Sequence, residues 1–449
     1  MKKPSCNIIE EPQKTILERT LDYNGILARD RELFLSGEFN LKKNENIYMR
    51  FADKIRKTIA NNRAIKIFAS NKKESLIPAI LLKRCFNVFK YEKVEIVNSV
   101  AQINKKDLLI FINKDTPEKT LKRKNIKLRD VIVIKDSFNP GFYTEGIPSK
   151  RQALFHVWMI MFYLAKKLNK YYEDRIEKEL LYYSIFSHTL NSYVVNEARA
   201  LYLKGVSVAN KVSDPIINGF LKFANQKNMN KLAIKYFGES ILFLFMLNYK
   251  MDNIIMFLTN SSEKMSFNNF LFLKTEVSVI KDEILDLENS LLRSLRIQKG
   301  LINEPILVAT AYDKVYKRTD LASLSLKRFY KVFKKPIIFS IRESKGFIQY
   351  AIGLNGINDY GGHVEDGIWE FKLSKDDRVL MKDFSKYDVT KIKNRKYIRI
   401  DLDEVIEASF DVDHLSPYGN GFIEPEFEVI TNNKSVKGKI KDVIRELNL

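Results

Sequence analysis

Four short apolar runs between residues 64 and 134 constrain the fold of this chain more than any other feature. They are Ala64-Ile65-Lys66-Ile67-Phe68-Ala69, Val94-Glu95-Ile96-Val97, Asp107-Leu108-Leu109-Ile110-Phe111-Ile112 and Asp130-Val131-Ile132-Val133-Ile134. Each is too short for a stable helix and rich in the β-branched residues that favour strands. Helical patterns surround them, at 45–61 before the first run and at 77–86 behind it. Short strands alternating with helices predict a parallel sheet with helices on both faces. Ligands on such sheets bind beyond the carboxyl ends of the strands. The residues directly after each run are therefore the first candidates for function.

Those residues are Ser70-Asn71-Lys72-Lys73-Glu74-Ser75 after the first run, Asn113 and Asp115 after the third, and Asp136-Ser137-Phe138-Asn139-Pro140 after the fourth. Carboxylates are sparse among them, and Lys72 brings an ammonium. The chain has four histidines, of which only His156 and His188 lie in this half. His156, in the run Ala153-Leu154-Phe155-His156-Val157-Trp158, reads as a core or helix-face residue. His188 is the better ligand candidate by position. Two cysteines, Cys6 and Cys85, give neither a disulfide framework nor a cysteine zinc site.

From 151 to about 297 the pattern is helical. Helices are predicted at 152–168, 171–190 and 231–247, with Met, Phe and Tyr at core spacing. A charged, heptad-like stretch at 277–298 is either a long helix joining two domains or a surface helix. A second α/β pattern follows. A strand at 305–311, a helix at 321–333 and a strand at 336–341 lead to Arg342, and then to the loop containing Gly361-Gly362-His363. An arginine can fork onto a phosphate with two parallel hydrogen bonds. Two glycines let a backbone approach a ligand closely, and the histidine can hold a phosphate oxygen. An exposed arginine and an ordinary tight turn are the plainer alternatives. Trp369 and Phe371 are expected to pack under the sheet, with base stacking as the alternative. Residues 433–449 read as a basic turn and short helix.

The formal net charge of +21 points to a polyanionic partner, nucleic acid before others. The clusters at 119–124 and 391–399 suit a sequence-independent phosphate track. No phosphate-binding loop ending in Gly-Lys-Ser/Thr appears, which argues against ATP hydrolysis. No charged-then-apolar leader is present, and the apolar stretch 241–247 is far too short to span a bilayer. A cytoplasmic protein without a membrane partner is expected.

Over residues 60–430 the chain resembles the RecJ-like DHH phosphoesterases with their DHH-associated domain. The resemblance rests on Phe339-Ser340-Ile341-Arg342, Gly361-Gly362-His363 and Leu415-Ser416-Pro417-Tyr418-Gly419-Asn420-Gly421-Phe422-Ile423-Glu424-Pro425-Glu426-Phe427, in that order. It implies a degenerate DHH-like domain over 1–200, a helical insertion and connecting helix over 200–300, and a smaller DHH-associated-like nucleic-acid-binding domain over 301–449. The family's metal-ligand motifs fall on Ser70, Lys72, Glu74, Asn113, Asp136, Ser137 and Phe138, of which only Glu74 and Asp136 are carboxylates. Two divalent ions ~3.5–4 Å apart need several anionic ligands, so the resemblance implies no metal cofactor and no catalytic residues. Binding of single-stranded DNA is implied for Arg342, Gly361, Gly362 and His363. The resemblance is greatest to archaeal RecJ-like proteins and the eukaryotic RecJ-like helicase subunit. It therefore implies a non-catalytic scaffold of DNA replication, with the GINS complex and MCM helicase as partners. The alternative is a Mn2+-dependent, single-strand-specific 5′–3′ exonuclease with substituted ligands; a small-phosphodiester hydrolase is a third reading.

Overall fold

A computed structural model of the chain describes residues 7–9, 14–24, 26, 28, 31–36, 45–99, 101, 103–114, 118–127, 130–136, 153–190, 196–247, 249–297, 306–311, 322–333, 335–343, 346–353, 363–365, 368–373, 396–415, 424–431 and 435–447. The chain begins with β1 (Asn7–Ile9), α1 (Ile16–Tyr23), α2 (Arg31–Ser36) and α3 (Glu45–Ala60). A βα-alternating stretch follows: β2 (Ile65–Phe68), α4 (Lys73–Val88), β3 (Val94–Val97), β4 (Leu108–Ile112), α5 (Glu118–Arg123) and β5 (Val131–Ile134). Helices then run as α6 (Ala153–Leu168), α7 (Lys170–Lys178), α8 (Leu180–Leu190), α9 (Asn196–Val208), α10 (Pro215–Ala224), α11 (Lys231–Met246), α12 (Met251–Asn260) and α13 (Glu263–Ile297). The remainder is β6 (Leu307–Ala311), α14 (Ala322–Phe333), β7 (Ile337–Glu343), β8 (Gly346–Ile352), β9 (His363–Glu365), β10 (Ile368–Leu373), β11 (Lys396–Ile400), α15 (Val405–Leu415), β12 (Phe427–Ile430), β13 (Ser435–Gly438) and α16 (Ile440–Leu447). Among the described residues, no helix is long and apolar enough to cross a membrane.

The chain divides into two compact units, one formed by residues 5–273 with 396–449, the other by 1–4 with 274–395. The larger is built on the predicted parallel sheet, ordered β3-β2-β4-β5. Its strands are almost wholly apolar because both faces are covered. Leu108, Ile110 and Ile112 of β4 join the core shared with α3, α4 and α6. Leu109 and Phe111 turn the other way, to Phe68, Leu121 and Ile126. Phe68 and Phe111 stack there with ring centres 4.5 Å apart. The strand order reverses between β2 and β4, so the topological switch point lies at their carboxyl ends.

A second sheet in the same unit, ordered β1-β11-β12-β13, joins the two ends of the described chain. β1 runs parallel to β11. Arg19 of α1 donates to the Arg399 carbonyl at 2.9 Å and pairs with Glu404. Helix α1 begins in a capping box, Thr15 with Glu18, whose reciprocal bonds fix its start. The smaller unit is a mixed sheet, ordered β6-β7-β8-β10-β9, with α14 and part of α13 contributing to its core.

The fold class is the expected one, with three local differences. The helix predicted over 171–190 is two helices, α7 and α8, which part at Glu179. No glycine or proline marks that break; the Glu179 carboxylate is instead held by Arg84 of α4. The heptad-like helix predicted over 277–298 begins earlier, at Glu263. The compact units are cut near 273 and 395 rather than at 200 and 300, and residues 396–447 share a core with Ile16 of α1.

Candidate functional site

The switch point is closed by a chain of short hydrogen bonds that starts in helix α4. Pro78 lies inside α4 and has no N–H to give to the Glu74 carbonyl one turn back. The side-chain amide of Asn113, the residue after β4, takes over that acceptor at 2.8 Å. The Asn113 side-chain oxygen meanwhile accepts the Asp136 N–H at 2.8 Å. Its backbone N–H donates to the Ile134 carbonyl at 2.9 Å. Asn113 adopts a left-handed backbone, φ 45°, which Asn tolerates better than most residues. One neutral side chain thus repairs a helix and ties the ends of β4 and β5 to it.

Ser75 performs the matching task between β2 and β4. It is buried, and its hydroxyl donates to the Ile112 carbonyl at 2.5 Å and accepts the Ser70 N–H at 3.0 Å. Asp136 completes the series by accepting the Ala153 N–H at 2.6 Å. A carboxylate at the first turn of α6 satisfies an otherwise unpaired donor and suits the helix dipole. Lys72 is exposed at the N-cap of α4 and gives no side-chain capping bond, since an ammonium has nothing to accept with. Glu74 is exposed, with Lys73 3.8 Å from its carboxylate.

The structure therefore brings Ser70, Glu74, Asn113 and Asp136 together, with Ser75, a residue of the stretch after the first strand to which the sequence alone assigns no role. Asp115, Ser137 and Phe138 lie outside the described residues. The side chains at this place are amides, hydroxyls, an ammonium and two carboxylates, Glu74 beside Lys73 and Asp136 already engaged at a helix start. Two divalent cations need a set richer in anions, so the described residues here do not fit a two-metal centre. Among the described residues, no three His, Cys, Asp or Glu side chains converge into a metal site anywhere.

The histidines stand elsewhere. His156 is buried in α6, its Nδ1 3.0 Å from the Tyr48 hydroxyl. The Nε2 of His188 in α8 lies 2.9 Å from the Tyr202 hydroxyl. Burial, helped by the nearby Lys235 charge, pushes the His188 pKa down to about 4. It is a neutral core histidine at physiological pH.

In the smaller unit, Arg342 is exposed near the end of β7. Ser340, two residues before it, is buried and accepts a hydrogen bond from Gln349 of β8 at 2.9 Å, a sheet-stabilising contact. His363 opens β9, in backbone register with Glu370, Tyr350 and Phe339 across three strand pairs. That places the His363 backbone three residues along and three strands across from Arg342, roughly 17 Å away at ordinary sheet spacings. Gly361, Gly362 and the segment 416–423 lie outside the described residues.

A feature that sequence reading missed sits at the other end of α4. Arg84 is buried, and its guanidinium reaches Glu179 at 2.8 Å, Asp214 at 2.8 Å and the Leu258 carbonyl at 2.9 Å. It stacks 3.3 Å over the Tyr182 ring, and the Tyr182 hydroxyl donates to Asp214 at 2.7 Å. Burial opposes the Arg84 charge, but Glu179, Tyr182 and Asp214 outweigh it and raise the guanidinium pKa. Burial likewise pushes the Asp214 carboxyl up, yet Arg84, Tyr182 and the Ile216 N–H hold it below its ordinary value. The signal was present: an arginine inside the apolar run Leu81-Leu82-Lys83-Arg84-Cys85-Phe86 requires a buried partner, and Asp214-Pro215 is a helix start.

Solved structures with the same architecture fix what this sheet and its helices are. RecJ from Thermus thermophilus in complex with Mn2+ superimposes with a TM-score of 0.65 at 13% identity, over 92% of this chain and 66% of that one. The Mg2+ complex of the same protein gives 0.59 at 12% identity, over 92% and 64%. The fold is RecJ-like. Exonuclease RecJ bound to manganese agrees over 73% of this chain and 90% of that one, with a TM-score of 0.53 and 12% identity. The chain thus spans just under two thirds of the length of the Thermus proteins. No protein-family model matches the chain, and no curated protein matches it. At this identity the likeness extends to the fold, and the residues at the strand ends have to be read on their own chemistry.

Proposed function

We propose that this chain is a non-hydrolytic, cytoplasmic protein that binds single-stranded nucleic acid on a RecJ-like frame and serves DNA replication as a structural subunit. The observation that carries this reading is the bond pair of Asn113. Its amide must donate to the Glu74 carbonyl and accept from the Asp136 N–H, and a carboxylate at 113 would forfeit the first bond. Where a two-metal nuclease needs negative charge, this chain needs a neutral amide to hold its own helix. The +21 charge supports a polyanionic partner. The proposed protein partners, GINS and MCM, come from the resemblance of the sequence to archaeal RecJ-like proteins.

The test is release of nucleotides from end-labelled single-stranded DNA with Mn2+ added, together with filter binding across a salt series. The expected result is binding without release. Release that requires Mn2+ and disappears in Asp136→Ala establishes the second reading, a manganese-dependent exonuclease with substituted ligands. That reading draws on the manganese held by the exonuclease RecJ of similar fold. Replacing Arg342 by Ala is expected to lower the slope of log affinity against log salt by about one phosphate contact. Failure of the full chain to co-purify with GINS at physiological salt removes the replication assignment and leaves a nucleic-acid binder.

A further inference from the structure

The Arg84 cluster forms one wall of a cavity of about 440 Å³ that neither the fold comparison nor the proposed function uses. It opens between the C-terminal end of α4, the face of α7, the turn leading into α10 and the end of α12. Its lining contains Arg84, Lys90, Arg175, Lys178 and Lys211 against two carboxylates, Glu179 and Asp214. Both carboxylates are committed to Arg84. Arg84 neutralises only one of them, so the lining as a whole keeps an excess of three positive charges, carried by the other four side chains. Lys90, Lys178 and Lys211 make no ion pair among the described residues, and Arg175 is engaged only with Tyr171, as a donor to its hydroxyl at 2.7 Å and over its ring.

The arrangement is not that of an evenly mixed surface. Helix α7 carries acids as well as bases, but its acids pair away from the cavity. Lys170 takes Asp174 at 3.0 Å and Glu173 at 3.7 Å, and Lys204 takes Glu177 at 3.2 Å. Arg175 and Lys178 are left on the cavity side. Lys90 holds a left-handed backbone, φ 55°, just past the end of α4, where Gly or Asn is the usual choice. Like charges converging from three chain segments on one concavity repel one another, and a low-dielectric floor focuses their field.

We propose that this cavity binds a phosphate-bearing anion of about mononucleotide size. Its volume lies in the range of small-molecule sites, roughly 300–1,000 Å³, and flexible lysines with an arginine fork suit the three oxygens of a phosphate. Arg84 is not the ligand's main contact; locked by two carboxylates, it keeps the floor rigid while the rim carries the charge. The site does not depend on the proposed function, since it lies about 14 Å along α4 from Ser75, nine residues at 1.5 Å each.

The test is isothermal titration of the full chain with adenosine 5′-monophosphate, adenosine and inorganic pyrophosphate at low salt. Saturable binding of AMP and pyrophosphate, and none of adenosine, is expected. In Lys178→Glu combined with Lys211→Glu the affinity should fall at least tenfold. The Arg versions of both positions should keep it. Lys170→Glu with Lys235→Glu, equal in net charge and outside the cavity, should leave it within about twofold. Circular dichroism of each variant checks that the fold is intact. Competition by a dT20 oligonucleotide without a terminal phosphate shows that the anion is a strand phosphate, and failure to compete shows a free nucleotide. Absence of saturable pyrophosphate binding, equal binding by adenosine, or equal loss in the two charge-reversed pairs overturns the proposal. None of these results depends on whether the chain cuts DNA, so the two readings fail separately.

Discussion

Helix α4 has two ends, and the chain treats them in opposite ways. At its N-terminal turn, in the crevice where a RecJ-like sheet presents its strand ends, the chain places hydrogen bonds carried mainly by amides and a hydroxyl, from Asn113 and Ser75. At its C-terminal end it places a buried arginine, two carboxylates and a rim of lysines. The fold would lead one to look for charge at the first end. The difference teaches that a shared architecture locates a crevice without dictating what fills it. Charge in this unit has been concentrated at a place to which the fold comparison gives no special standing.

The sharpest way to break the comparison is to remove the charge at the C-terminal end. Arg84→Met leaves the half-buried Glu179 and Asp214 without their counter-ion. Loss of one partner from a buried pair costs about 3–5 kcal/mol, to be read as a shift in the urea midpoint at unchanged slope. Arg84→Lys keeps the charge but loses the fork to Glu179, and should fall between the two. If Arg84→Met is within about 1 kcal/mol of the parent, the cluster is not the structural anchor described here.

Acid should separate the cluster from the core around it. The folded pKa of His188, about 4, lies below its unfolded value of about 6.5. The unfolded state then binds the extra proton, so stability is lost as pH falls from about 6.5 towards 4. Asp214 is also depressed in the fold. Its contribution is present above the unfolded carboxylate value of about 3.9 and is lost only as pH falls further, through the folded pKa. His188→Gln should flatten the upper limb, whose slope is at most about 1.4 kcal/mol per pH unit for one proton. Asp214→Asn should flatten the lower limb alone. A single limb that both variants change equally would contradict these assignments.

The N-terminal end is tested by Asn113. Asn113→Ala removes both side-chain bonds and strains a left-handed backbone, for a loss of about 1–3 kcal/mol. Asn113→Asp keeps the acceptor for the Asp136 N–H but sets a carboxylate against the Glu74 carbonyl. It should be destabilised by a similar amount, and Mn2+ should not restore it. Recovery of its melting temperature in Mn2+, with none in the parent, would show that a cation site lies one substitution away and would weaken the contrast between the two ends.

The sequence disclosed one half of each end. The four strands of the parallel sheet were legible almost to the residue, because short β-branched runs covered on both faces leave a continuous apolar signature. Pro78 was visible inside a helical run, but nothing local says that residue 113 replaces its missing bond. Arg84 was visible as a charge in an apolar run, while its partners lie 95 and 130 positions away. Pairing of β1 with β11 was equally hidden, since a three-residue strand joined to one nearly four hundred residues later leaves no periodicity to read. The split of 171–190 at Glu179 was hidden in the same way: no glycine or proline marks it, and the Glu179 carboxylate is held by Arg84 from another helix.

The smallest effect expected bears most directly on why the rim is charged. Lys178→Gln with Lys211→Gln touches only exposed side chains, and ordinary surface substitutions leave stability nearly unchanged. If these lysines are merely solvated, the melting temperature should be the same in the variant and the parent at every salt concentration. If they repel one another across the cavity, the variant should melt about 1 °C higher at low ionic strength. The gain should vanish near 0.5 M salt, where the Debye length falls to roughly 4 Å. Adding pyrophosphate should reverse the order, raising the parent above the variant, because an anion bound only by the folded rim stabilises the protein that still has it. A variant that is less stable than the parent without any anion present would mean that the lysines hold the fold together, and the contrast drawn between the two ends of α4 would lose its functional half.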